Sequence, residues 1–222
     1  MSDILPHITL QSGKTPKYSI IWLHGLGANG EDFVPMVDEI ELPHAVRYLF
    51  PHAPKRAVTI NGGYVMPAWY DIRSSDIGAE VDAAGIRASQ HEVNKLIEQE
   101  IQRGIKPSHI FLAGFSQGGA IVLHTGLRAR ERLGGIIALS TYFPLAESLQ
   151  PDATRVAQPI PIFMAHGTDD PVVPYELGKK SATQLSQYGC NVEWHEYAIP
   201  HTVCPQEVRD IELWLQGQMK RD

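Results

Sequence analysis

The chain has 222 residues, 43% hydrophobic and 20% charged, which suits one folded domain and excludes disordered, collagen-like and coiled-coil organisation. Its 19 basic and 25 acidic side chains leave a net charge of −6, so no basic face for nucleic acid is expected. A chain of this length buries roughly 70–75% of its unfolded surface and needs no disulfide or metal to hold it.

Cys190 and Cys204 are the two cysteines, too few for a disulfide framework, which points to a reducing cytoplasmic setting with idle thiols. The opening residues Met1-Ser2-Asp3-Ile4-Leu5-Pro6-His7 carry neither a basic nor an apolar block, so no signal peptide is expected. The longest uncharged stretch, residues 107–127, holds His109, Ser116, Gln117, His124 and four glycines and is not read as a membrane span.

In chain order, residues 18–23 form the first predicted strand, apolar nearly throughout. Gly25-Leu26-Gly27-Ala28-Asn29-Gly30 follows it and fits the G-x-G-x-x-G dinucleotide pattern. That fingerprint also wants an acidic residue at the end of the next strand to hold a ribose. The next strand, 46–50, runs out into Pro51-His52 with no carboxylate, so the glycines need another use. Residues 53–79, with Asn61-Gly62-Gly63, two prolines and an aromatic cluster, read as a long excursion near a functional rim. A helix is predicted over 81–103, where Val93, Ile97 and Ile101 share a face with Ile86.

Residues 109–115 form a strand that passes through Gly114-Phe115-Ser116-Gln117-Gly118-Gly119 straight into a helix over 117–130. This is G-x-S-x-G in the strand–turn–helix setting that makes a serine a nucleophile. The turn exposes the hydroxyl, and the helix N-terminus behind it favours a developing oxyanion. Strands follow at 135–140 and 160–165, and the loop after the second is His166-Gly167-Thr168-Asp169-Asp170-Pro171. A helix over 175–187, a strand over 192–197 and a helix over 206–220 complete the chain. Alternation of this kind predicts an α/β fold with a mostly parallel sheet, one domain over residues 4–220.

A serine hydroxyl needs a base and an orienting acid, and behind such an elbow they follow in the order Ser, Asp/Glu, His. Asp169 and Asp170 both occupy the loop where the acid belongs. His195 lies inside a strand, whereas His201 lies in the loop after it and is the better base. The oxyanion needs two backbone N–H groups, one after the serine and one from an early loop. Gln117 and Leu26 supply them, which gives the glycine string its use. The histidines at 7, 44, 52, 91, 109 and 124 show no ligand spacing, so neither metal nor other cofactor is expected.

Taken together, Trp22-Leu23-His24-Gly25-Leu26-Gly27, Ala68-Trp69-Tyr70-Asp71-Ile72, the elbow, His166-Gly167-x-x-Asp170-x-Val172-Val173-Pro174 and His201 resemble the carboxylesterase/acyl-protein thioesterase (phospholipase/carboxylesterase) family of small α/β-hydrolases. The resemblance covers nearly the whole chain. It implies a single α/β-hydrolase domain over residues 1–222 without a large lid, with Ser116 as nucleophile, Asp170 as acid, His201 as base, and Leu26 and Gln117 as oxyanion donors. It also implies hydrolysis of carboxylic esters of short to medium acyl chains. Acyl-protein thioesterase or lysophospholipase activity stands as the alternative, and a non-catalytic binding module as the reading of another class. Trp69, Tyr70, Met66, Phe143 and Val173 are the candidates for an acyl groove. Thr141-Tyr142-Phe143-Pro144 resembles the bacterial esterase branch. A small acyl ester or acylated substrate is the expected partner, a homodimer is a family-level expectation, and neither nucleic acid nor a membrane-embedded segment is expected.

Overall fold

Strands that are apolar at every position must be covered on both faces, and the architecture follows from that demand. A computed structural model describes residues 4–75, 77, 80–149 and 159–219. Its main sheet has seven strands: β1 (His7–Gln11), β2 (Tyr18–Leu23), β3 (Val46–Pro51), β6 (Ile110–Phe115), β7 (Gly135–Leu139), β8 (Pro161–Gly167) and β9 (Asn191–Tyr197). Their order is β1-β3-β2-β6-β7-β8-β9, antiparallel at β1–β3 and parallel at every other pairing.

Alternate side chains of each strand feed two cores. Ile21, Leu23, Leu112, Ile136, Ala138, Ile162 and Met164 face one layer of helices, α2 (Ala83–Gln102), α3 (Gln117–Gly126) and α4 (Tyr175–Gln187). Ile20, Trp22, Phe50, Phe111, Ile137, Leu139 and Phe163 face the other, where α5 (Pro205–Met219) inserts Ile211, Trp214 and Leu215. The single-turn helix α1 (Met36–Glu39) lies at the rim of this second layer.

The six predicted strands and four predicted helices are all present, and their ends differ for local reasons. The strand 135–140 stops at Leu139 because Ser140 turns to φ 46°. The helix 117–130 ends at Gly126, and α2 starts at Ala83 because the Asp82 carboxylate accepts the Gly85 N–H. Lys220 lies outside the described residues, as do residues 76, 78 and 79 of the excursion. Two features were not anticipated. β1 alternates polar and apolar side chains and is half-buried on the sheet edge, so it lacks the continuous apolar signature of its neighbours. The excursion contains a hairpin, β4 (Lys55–Val58) with β5 (Tyr64–Pro67), turned by Gly62 and Gly63 at φ 65° and 79°.

The last helix carries an internal charge problem. Glu207 is buried and reaches back to the backbone N–H of Cys204, the return half of a capping box, while its Oε1 has no hydrogen-bond partner among the described residues. Burial, with the nearby Asp210 charge, pushes its carboxyl up to about 7. The folded protein therefore holds a proton that the unfolded chain releases near pH 4.5, and this contribution to stability is lost as pH rises from there through 7. A glutamine side chain at this position would keep the acceptor without the charge. Glu207→Gln should melt several degrees higher than the wild type at pH 8, with the gap closing towards pH 5; thermal melts across that range check it, and a gap constant with pH would refute the buried charge.

Candidate active site

Six loops leave the sheet at its carboxyl edge, after β2, β3, β6, β7, β8 and β9, and in a parallel sheet that edge gathers distant residues into one crevice. The loop after β6 is the tightest. Ser116 sits at φ 53°, ψ −119°, in a region that non-glycine residues avoid at a cost of about 1–3 kcal/mol. Three bonds hold it there: its N–H donates to Leu139 O at 2.8 Å, and its carbonyl accepts the Thr141 hydroxyl at 2.7 Å and the Ala120 N–H at 3.1 Å. Glycine at 118 is obligatory, since a Cβ would lie 2.4 Å from Leu23 O and 2.6 Å from His24 O. Gly114 is equally tight against Gly118, where a Cβ would lie 2.5 Å from its backbone. Strand, elbow and the loop after β2 thus meet backbone to backbone, and the Ser116 side chain is left half-exposed at the start of α3.

The loop after β8 separates the two adjacent aspartates. Asp169 is exposed, whereas the Asp170 carboxylate is fully buried. Its Oδ1 accepts the N–H groups of Val172 and Val173 at 2.8 and 2.9 Å, and its Oδ2 accepts His201 Nδ1–H at 2.6 Å. His166 Nε2 lies 3.3 Å from the same Oδ2 and donates to Val173 O at 2.9 Å. Burial lowers the affinity of His166 for a second proton, so it stays a neutral donor beside the carboxylate. The His201 ring rests on Phe115, centroids 4.7 Å apart, which places it beside the residue that precedes Ser116, and 15% of its side chain stays exposed. His201 and Ser116 reach solvent while the Asp170 carboxylate does not.

The loop after β2 lies against the elbow, and a Cβ at Gly25 would be 3.5 Å from Ser116 Cβ. His24, buried, braces this loop: Nδ1–H donates to Gly25 O at 2.7 Å and Nε2 accepts the Ala53 N–H at 3.1 Å. The bond at Nε2 needs the neutral ring, and burial lowers the pKa of His24 accordingly. Leu26 is half-buried at the loop crest, and Gly27 N–H donates to Pro67 O at 2.9 Å, which ties the crest to β5. Gln117 opens α3, where the first N–H groups have no acceptor within the helix. The string that mimics a dinucleotide motif ends at Gly30, whose N–H donates to His52 Nδ1 at 3.1 Å. An imidazole therefore occupies the place where that motif wants its carboxylate.

The five candidates for an acyl groove differ in exposure. Trp69 and Tyr70 are 0% and 2% exposed, and the Tyr70 and Tyr142 hydroxyls meet at 3.1 Å in the wall of a small pocket that Asp71 and Ile72 also line. Phe143 is buried in the same core, its N–H on the Ser181 hydroxyl. Val173 is buried and serves Asp170 through its backbone. Aromatic loop residues fill core here because the excursion folds back under the sheet edge. Met66 alone of the five is half-exposed, with its sulfur 3.6 Å from where a Cβ of Gly27 would stand. The sequence alone assigns His24 and His166 no role; the available signal is their position at or just past a strand's carboxyl end.

Residues 6–218 match the phospholipase/carboxylesterase family model. The chain belongs to this family. Acyl-protein thioesterase 1 of Cryptococcus neoformans is 34% identical, with 99% of this chain and 100% of that protein covered. Acyl-protein thioesterase 1 of Saccharomyces cerevisiae is 36% identical over 91% and 93% of the two chains. Among solved structures, acyl-protein thioesterase 2 of Zea mays superimposes with a TM-score of 0.86 at 28% identity, covering 96% of this chain and 99% of that one. The fold is the α/β-hydrolase fold and the protein is a carboxylic ester hydrolase by family. These relatives are eukaryotic, which does not support the bacterial branch suggested by Thr141-Tyr142-Phe143-Pro144.

The two aspartates give a sharp test. Asp170→Asn keeps the shape but removes the buried charge beside His201, and kcat should fall on the order of 10⁴-fold. Asp169→Asn alters an exposed loop and should cost under about tenfold. Both variants assayed on one ester check the assignment, and a crippled Asp169→Asn would overturn it.

Proposed function

We propose that this chain is a serine esterase that cleaves carboxylic esters of short to medium acyl chains through an acyl-enzyme. The observation that carries the reading is the 2.6 Å bond from His201 Nδ1–H to the buried Asp170 carboxylate, beside a serine held at positive φ. Asp170 fixes the tautomer of His201, leaving Nε2 as the proton acceptor. Ser116 Oγ attacks the acyl carbon while its proton passes to His201. The carbonyl oxygen becomes an oxyanion, met by the N–H groups of Leu26 and Gln117. Collapse of the tetrahedral intermediate breaks the ester bond, and His201 returns the proton to the leaving alcohol. Water, deprotonated by the same imidazole, then attacks the acyl-serine and releases the acid.

The same atoms cleave a thioester, with a thiol leaving in place of an alcohol. The names of the relatives favour that second reading, since proteins 34–39% identical over nearly the whole chain are called acyl-protein thioesterase 1. Sparse cysteine supports a cytoplasmic site of action. Two measurements separate the readings. A fluorophosphonate should label the wild type once and fail to label Ser116→Ala; labelling of both would end the serine mechanism. A panel of short, medium and long acyl esters, a palmitoyl-thioester peptide and lysophosphatidylcholine, compared by kcat/KM, should rank the short and medium esters first. A ranking led by the palmitoyl thioester would establish the second reading instead.

A further inference from the structure

Trp69 is fully buried and touches no solvent, yet every polar group it owns is committed to a different element around the crevice. Its backbone N–H donates to Gln117 Oε1 at 2.7 Å. Its carbonyl accepts the hydroxyl of Ser89 on α2. Its indole Nε1–H donates to His24 O at 2.9 Å, and the His24 ring lies tilted against the indole with centroids 5.2 Å apart. Gln117 completes the exchange by donating Nε2–H to Tyr70 O at 2.7 Å. These bonds join two strips of backbone far apart in sequence: the crest 24–26, and the start of α3 at Gln117.

We infer that Trp69 is the positioning residue of the oxyanion hole, holding the Leu26 and Gln117 N–H groups in register with each other. The inference rests on the reading of those two groups as oxyanion donors. An oxyanion hole works only if both donors are fixed before charge develops, since a donor that must move first gives back what it gains. The elbow fixes Gln117 by its own geometry. Leu26 sits on a loop with Gly25 before it and Gly27, at φ 76°, after it, and such a loop needs bracing from outside. His24 braces it against Ala53 on one side, and the indole N–H braces its carbonyl on the other. Because Trp69 is also clamped by the Gln117 amide, a shift of either strip is opposed by the other.

Tryptophan alone fits this role. The ring must fill a core volume, and its far edge must carry a donor that reaches a buried carbonyl. Phenylalanine would fill most of the volume and leave His24 O without that donor. The expected result is a slackened crest: a displacement near 1 Å at a reacting centre costs up to about 10²-fold, and outright loss of one oxyanion donor about 10²–10³-fold.

Trp69→Phe should lower kcat on a short-chain ester about 10–100-fold with KM within about threefold, because the transition state alone uses the hole. Its affinity for an alkyl trifluoromethyl ketone, whose serine adduct carries an oxyanion, should weaken in the same proportion. Trp214→Phe, the loss of another buried indole in the opposite core, should also lower Tm but leave kcat within about threefold. Gln117→Met keeps its own backbone N–H, cuts the amide link to Trp69, and should repeat the Trp69→Phe signature if that variant does not fold. Wild-type kcat in Trp69→Phe, or in Gln117→Met, would reduce the cluster to structural support and overturn the inference while the esterase reading stands. A wild-type protein that neither turns over esters nor binds the ketone would overturn both.

Discussion

A carboxylate sealed from water must find every hydrogen bond inside the protein, and the crevice is organised around that requirement at Asp170. Two backbone N–H groups and one imidazole N–H satisfy it, and a second imidazole stands by. Removing a carboxylate from solvent costs several kcal/mol before such bonds are made, so the loop after β8 cannot relax without exposing or orphaning the charge. The same bonds that offset this cost dictate where His201 stands. The position of His201 is thus a by-product of solvating Asp170, and the loop after β9 is recruited to the crevice by electrostatics rather than by apolar packing alone.

The elbow works by the opposite means. There the constraint is steric: glycines at 114 and 118 allow the β2, β6 and α3 backbones to approach more closely than any side chain would permit. A positive-φ serine survives in that setting because its N–H and carbonyl are both tied to neighbours at and after the end of β7. Charge solvation on one side of the crevice and close packing on the other are independent devices, and they meet where the His201 ring lies on Phe115.

Much of this was legible from the residues. Central strands declare themselves because burial on both faces leaves no polar position, and G-x-S-x-G between a strand and a helix admits few other uses. The choice between Asp169 and Asp170 was not legible from composition, since both sit in one loop; a three-dimensional fact, burial of one and exposure of the other, separates them. β1 and the β4–β5 hairpin escaped because edge strands with a wet side mix polar and apolar residues, and the Asn61-Gly62-Gly63 turn reads alike in a loop and in a hairpin. Trp69 and Tyr70 present a related choice. An aromatic pair in a long excursion can face the substrate or fill the core, and only the return path of the chain decides which. His24 stands inside the Trp22–Gly27 motif, but the motif does not say what it does; its role lies in what its two nitrogens join.

The backbone angle at Ser116 has a consequence for how such a protein can change over time. Energy stored in that turn is a standing cost to the folded state. A descendant released from selection for hydrolysis would gain stability by placing glycine there, since glycine adopts the angle freely. Loss of activity would then be rewarded by a sturdier fold, and the turn would become a one-way door: a copy that has passed through it must surrender stability to return. In proteins built on this scaffold, the residue at the elbow therefore records whether chemistry is still under selection.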